Sequence, residues 1–134
     1  MELNELYKIA EEKNVRVMDF SLPENKSVCI ELDDGCFVGV DPAVFSSQRE
    51  EKVVIAHELG HIQTGSFYAV GSDSASRCKQ EAKAEKWTIN KLVPLDELKK
   101  AIEKGYCDVQ SLAEYFEVTE KFMYEVILHY RKKS

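Results

Sequence analysis

The chain has 134 residues and a formal net charge of −6, with 44% hydrophobic and 31% charged residues. This is the size and composition of one globular domain that can bury its own core. The negative charge disfavours binding to nucleic acids and anionic membranes, and no apolar run is long enough to span a bilayer. The four cysteines form no CxxC pair and no signal peptide is visible, so we expect a thiol-reduced, cytoplasmic protein.

The first third of the sequence predicts one helix followed by a small sheet. Apolar residues at helical spacing within residues 3–10 predict a helix that Asn14 can end. Three segments rich in β-branched and aromatic residues follow, at 15–20, 27–32 and 36–40. Two aspartates and a glycine separate the last two segments and predict a hairpin. We therefore expect a small, mostly antiparallel sheet.

The middle of the sequence predicts two long helices. Ser47, with Glu50 three residues later, forms a capping box that can begin the first helix, and Gly65 can end it. After a loop, the second helix is predicted to run from about residue 77 to the residue before Pro94, which cannot continue it.

The last part of the chain predicts a short helix that ends at a glycine, then two helices that meet near residues 117–119. The expected architecture is therefore a single α+β domain over residues 1–134. Its parts are an N-terminal helix and sheet in 1–46, a helix pair in 47–94 and a helical C-terminal cap in 95–134.

The segment VVIAHELGH, at residues 53–61, carries two of the three histidines of the chain. Residues four apart lie on one face of a helix, about 6 Å apart along its axis. His57 and His61 can therefore both present a ring nitrogen to one metal ion. Glu58 projects about 100° around the helix from His57, so it can act as a general base instead of a ligand. In the HExxH motif, likewise, the two histidines bind the metal and the glutamate is the general base.

A catalytic zinc site usually has three protein ligands, and the following helix offers the third. The metzincin pattern is excluded because Phe67 stands where its histidine would be. Glu81 and Glu85 lie one turn apart, and share a face with the small residues Ala84 and Thr88 that would allow close packing. We favour Glu81 as the ligand and Glu85 as the acceptor of the outward N–H of a ligating histidine; the two roles can be exchanged. The alternative is a core helix with hydrogen-bonded histidines and solvent-facing glutamates.

Two segments resemble the motifs of the ImmA/IrrE metallopeptidases: VVIAHELGH and EAKAEKWTINKLVP, the latter at residues 81–94. The second motif of that family runs roughly Glu-x-x-Ala-Asp/Asn-x-aromatic and closes in Leu-x-Pro. The similarity extends through LAEYFEVTEKFMYEVI and covers most of residues 35–130. The resemblance implies a minimal zincin-like fold of the gluzincin type, Zn²⁺ held by His57, His61 and Glu81, and Glu58 as general base. Glu85 departs from the aspartate or asparagine of the family.

The resemblance also implies a function. Members of the family cut or inactivate repressor-type transcription regulators, often within phages, other mobile elements or stress responses. We therefore expect a zinc-dependent endopeptidase with a protein substrate, consisting of the peptidase unit alone.

Two details of catalysis are left open by the sequence. A tyrosine or histidine often acts as a second electrophile that assists the transition state in related enzymes, and the candidates are Tyr68, Tyr106, His129 and Tyr130. The substrate could add to the sheet as a strand, and the segment 36–40 shortly before the histidine helix is the expected docking edge.

Two other functions compete with catalysis. A non-catalytic module could disable a repressor by contact alone. The segment SLAEYFEVTEKFMYEVILHY also resembles a DNA-binding helix–turn–helix. Base recognition needs basic or amide side chains at the start of the second helix, and here Glu120 and Glu125 stand near that position. Direct nucleic-acid binding is therefore disfavoured.

Overall fold

A computed structural model describes residues 1–19, 27–32, 35–41, 45–65 and 74–131. Six helices and three strands lie within these residues, and the three strands follow one another after the first helix. In chain order they are α1 (Leu3–Glu12), β1 (Val15–Asp19), β2 (Ser27–Leu32), β3 (Gly35–Val40), α2 (Gln48–Thr64), α3 (Ser74–Leu92), α4 (Leu95–Glu103), α5 (Val109–Phe116) and α6 (Glu120–Arg131). The α+β class predicted from the sequence is confirmed.

The three strands form one mixed sheet in the order β1-β3-β2. β2 and β3 pair antiparallel, with Leu32 opposite Gly35, as the hairpin prediction required. β1 pairs with β3 in parallel, with Val15 opposite Cys36, so the prediction of a mostly antiparallel sheet is wrong for this pair. β3 is the central strand, and its side chains Val38 and Val40, which lie on the same face, are 1% and 3% exposed and belong to the core.

The central position of β3 also corrects the predicted docking edge at residues 36–40. Each residue of β3 from Cys36 to Val40 has a partner on β1 and another on β2. A strand that is paired on both sides has no free backbone groups to offer an added strand. The edges of the sheet in the described part of the chain are β1 and β2, and β2 contacts α2.

The predicted ends of α2 follow from local signals that the structure confirms, whereas α3 begins at Ser74, three residues before its predicted start. The Ser47 side chain accepts a hydrogen bond from the Glu50 backbone N–H at 3.2 Å, and the Glu50 carboxylate accepts one from the Ser46 hydroxyl at 2.6 Å. Gly65 ends α2 in the left-handed conformation, at φ 63°. Pro94 lies between α3 and α4. These caps fix the length and the direction of α2, which carries the histidine pair.

The helices pack around one apolar core, to which α1, the sheet and all the later helices contribute. Leu6 on α1, Ile55 and Leu59 on α2, Ile89 on α3 and Met123 on α6 are each at most 2% exposed. Burial of aliphatic side chains stabilises the fold by about 1.5–3 kcal/mol for each one. None of the described helices combines the length and apolar character that a membrane span requires.

α2 and α3 pack closely against each other, and a glycine makes this contact possible. A Cβ added at Gly60 would lie 2.6 Å from the Ala84 carbonyl oxygen and 3.2 Å from Thr88 Oγ1. Thr88 Oγ1 donates to the Ala84 carbonyl at 2.8 Å and lies 3.3 Å from the Ala56 carbonyl oxygen. The small-residue face predicted for α3 therefore packs directly on the backbone of the histidine helix.

A buried lysine joins α2 to the C-terminal helices. Lys52 is only 3% exposed, and its ammonium group donates a 2.8 Å hydrogen bond to the Phe116 carbonyl at the end of α5. Burial lowers the pKa of Lys52, and the nearby carboxylates of Glu117, Glu2 and Glu5 oppose that shift. The lysine satisfies a carbonyl that the helix itself leaves free, and so fixes the C-terminal helices against the start of α2.

We expect Gly60→Ala to destabilise the protein, although replacing glycine by alanine in a helix interior normally stabilises the helix by about 1 kcal/mol. The added methyl group meets a backbone carbonyl that cannot rotate away, so the loss should be about 1–3 kcal/mol. Urea unfolding at equilibrium measures the difference. A Gly60→Ala protein that is more stable than the wild type would contradict the close packing of α2 on α3.

Candidate metal centre

Three side chains from two neighbouring helices converge on the surface where α2 meets α3. His57 Nε2 lies 2.7 Å from Glu81 Oε2, and His61 Nε2 lies 3.0 Å from Glu81 Oε1. One ligand atom from each of the three residues lies within 4.8 Å of the other two. The carboxylate that the sequence analysis favoured is thus the one that faces both imidazoles.

The geometry of this cluster follows from the two helices that carry it. His57 and His61 are one turn apart on α2, and their rings meet edge to face with centroids 4.9 Å apart. Glu81 reaches them from α3 because Gly60 and Ala84 bring the two backbones together. His61 is only 7% exposed, whereas His57 is 28% and Glu81 is 42% exposed. His61 therefore lies on the buried side of the cluster, and the side with His57 and Glu81 is open to solvent.

The chemistry of these donors fits a divalent metal ion. Two imidazole nitrogens and one carboxylate form a donor set that such ions bind in proteins, and donors this close together can share one ion. Rigid helices hold all three, so little conformational freedom remains to be lost on binding. His57, His61 and Glu81 form a candidate metal site.

A cavity of about 300 Å³ adjoins the cluster, where α2, α3 and α6 meet. Its lining combines apolar side chains with carboxylates, and consists of Val53, Val54, His57, Glu58, Glu85, Thr88, Phe122 and Glu125. Glu58 is 8% exposed, so its carboxylate belongs to the interior of the cavity and not to the outer surface. The structure thus brings the residue that follows His57 to the same cavity as His57 itself.

Glu85 lines this cavity as well, together with Glu125 on α6. Burial raises the pKa of Glu125, and interaction with Glu85 raises it further, while Lys121 and His57 oppose the shift. Glu85 thus lies beside a second acid in the structure, and its predicted contact with a histidine N–H stays a prediction.

Three of the four candidates for an assisting tyrosine or histidine lie outside the cavity at His57. Tyr106 stacks on Tyr115, with ring centroids 4.9 Å apart, and the Tyr130 hydroxyl donates to the Val93 carbonyl at 2.8 Å. His129 lines a neighbouring cavity between α3 and α6. Tyr68 falls outside the described residues. The described residues that line the cavity at His57 thus contain none of the candidates.

Two residues that shape the site were not found from the sequence. Gly60 stands inside the HExxH motif, between His57 and His61. A glycine within a helix often marks a place where another part of the protein packs closely on the backbone, and this was the available signal. Glu125 gave no signal: it comes from α6, about forty residues after Glu85, and only the packing of α6 on α2 and α3 brings it to the cavity.

Comparison with protein families agrees with this geometry. The family model described as the IrrE N-terminal-like domain, a peptidase family, matches residues 10–127. Searches of curated proteins and of solved structures gave no significant match. The matched range contains the whole cluster and the helices that position it, and spans most of the chain. The chain therefore belongs to the IrrE N-terminal-like family of peptidases.

Proposed function

We propose that this protein is a zinc-dependent endopeptidase with a zincin-like site of the gluzincin type. The observation that carries the proposal is the convergence of His57, His61 and Glu81, beside a cavity that Glu58 lines, in a member of a peptidase family. A binding module would have no need for an acid buried next to a metal site. A peptidase needs one.

Zinc is the metal that this donor set favours, because two imidazoles and one carboxylate form a known type of catalytic zinc site. His57, His61 and Glu81 would hold the ion. When bound, zinc supplies a Lewis acid that polarises the peptide carbonyl and makes water a stronger acid. The contribution of the chain is to hold the ligands rigidly and to keep the site open toward solvent.

Glu58 is the proposed general base. Its carboxylate oxygen accepts a proton from the attacking water and then returns it to the amine of the leaving peptide, so no net proton is consumed by the enzyme. The low exposure of Glu58 supports this role, because a side chain packed at the wall of the cavity keeps a fixed position.

The substrate we propose is a protein, namely a repressor-type regulator of a mobile element or a stress response, as the family resemblance suggests. We propose that the enzyme acts in the cytoplasm. An extended substrate could pair with the sheet at β2, the edge strand that contacts α2. Pairing with the backbone would leave the side chains of the substrate free to enter the cavity at His57.

The proposed metal site leads to a prediction about zinc binding. After removal of metal with a chelator, the wild-type protein should bind one zinc ion, and His61→Ala and Glu81→Gln should weaken zinc binding by at least about 100-fold, since each loses a ligand. Competition with a chromophoric chelator measures the affinities. Glu97→Gln, which removes an exposed carboxylate on α4, is the control and should bind zinc like the wild type. Equal affinities in all four proteins would rule out this site.

The catalytic proposal makes the second prediction. The zinc-loaded wild type should cleave members of a proteome-derived peptide library, and Glu58→Gln should cleave them about 10²–10⁴ times more slowly, because the amide cannot accept the proton. Mass spectrometry of the products gives the cleavage sites and rates. Zinc content and thermal stability of Glu58→Gln serve as controls and should equal those of the wild type.

The outcomes separate catalysis from simple binding. A Glu58→Gln protein with wild-type cleavage rates would overturn the assigned role of Glu58. A zinc-loaded wild-type protein that cleaves neither the library nor a repressor that it binds would instead favour the non-catalytic anti-repressor.

A further inference from the structure

We propose that the cavity beside the metal cluster is a subsite for a lysine or arginine side chain of the substrate. The proposal rests on the proposed peptidase function, and adds the class of residue that the enzyme selects next to the bond it cuts. Glu85 and Glu125 are the residues that determine this specificity.

The position of the cavity ties it to the reaction. His57 and Glu58 form part of its wall, so a substrate whose carbonyl lies at the metal cluster can place a neighbouring side chain in it. The volume of about 300 Å³ is large enough for one long side chain. The substrate side chain that fits the cavity therefore determines which peptide bond is cut.

The walls of the cavity suit the two ends of a basic side chain. Val53, Val54 and Phe122 offer apolar surface, against which the methylene groups of lysine or arginine pack well. Glu85 and Glu125 contribute carboxyl groups from two different helices. A long aliphatic stem that ends in a cation matches this combination better than a purely apolar or a short polar side chain.

The described residues that line the cavity include more acidic than basic side chains. Three of the eight described lining residues are glutamates, at positions 58, 85 and 125, and none is a lysine or an arginine. Lys121 affects Glu125 electrostatically but is exposed and does not line the cavity. Lys86 lines only the adjoining cavity of about 530 Å³, which shares Glu85 and Glu125. A bound ammonium or guanidinium group would place a positive charge beside two acids that line the same cavity.

The same arrangement predicts what the cavity excludes. An aspartate or glutamate of the substrate would bring a further negative charge to Glu85 and Glu125 and would be rejected. A norleucine, which has the stem of lysine without its charge, would gain only the apolar contact. The comparison of lysine with norleucine therefore isolates the contribution of the two carboxylates.

The test uses quenched fluorescent peptide libraries in which one position at a time is fixed as lysine, arginine, norleucine or glutamate. At one position beside the scissile bond, the zinc-loaded wild type should prefer lysine or arginine over norleucine by about tenfold in kcat/KM. The double variant Glu85→Gln/Glu125→Gln keeps the shape of the cavity and should reduce this preference to about twofold or less. Glu97→Gln/Glu103→Gln, which removes two exposed carboxylates from α4, should leave the preference unchanged.

A wild-type enzyme that cleaves lysine and norleucine peptides equally at every position would overturn the subsite, as would a double variant that retains the preference. These results would leave the peptidase itself intact. If the wild type cleaves no peptide, the proposed function fails, and binding of the same peptides by fluorescence anisotropy decides the subsite. Tighter binding of lysine than norleucine peptides that depends on Glu85 and Glu125 would support it, and equal binding would overturn it.

Discussion

The contact between Gly60 and the backbone of Ala84 is the constraint on which the rest of the structure depends. Helices that carry larger side chains at their contact pack 8–10 Å apart, and the absence of a side chain at Gly60 lets α2 and α3 approach as closely as their backbones allow. That approach carries Glu81 to within 3.0 Å of a ring nitrogen on each histidine. The metal cluster is thus a consequence of how two helices pack, and the rigidity of those helices sets the rigidity of the site.

The site also depends on elements that hold no ligand. Lys52 fixes the end of α5 to α2, and α5 leads into α6, which closes the cavity with Phe122 and Glu125. The C-terminal helices therefore complete the site that the helix pair begins. This explains why the helix–turn–helix resemblance of α5 and α6 is compatible with a role other than DNA binding: Phe122, Met123 and Val126 of α6 are buried in the core.

Local chemistry allowed much of this to be predicted from the sequence. Histidines four residues apart, the capping serine of α2 and the glycine at its end are local signals, and each lies where it was expected. The small face of α3 predicted the helix contact and favoured Glu81. The parallel pairing of β1 with β3 was missed because it joins segments that are not adjacent in the chain. The local periodicity of a sequence does not predict such pairings. Glu125 was missed for the same reason.

The central claim is that one metal ion is held by two imidazoles and one carboxylate. X-ray absorption spectroscopy of the zinc-loaded protein tests this most directly, because it identifies the atoms that surround the ion. We expect scattering from two histidine rings together with oxygen ligands, and loss of one ring contribution in His57→Ala. A spectrum dominated by sulfur, or one that His57→Ala and Glu81→Gln leave unchanged, would show that zinc binds elsewhere and would contradict this site.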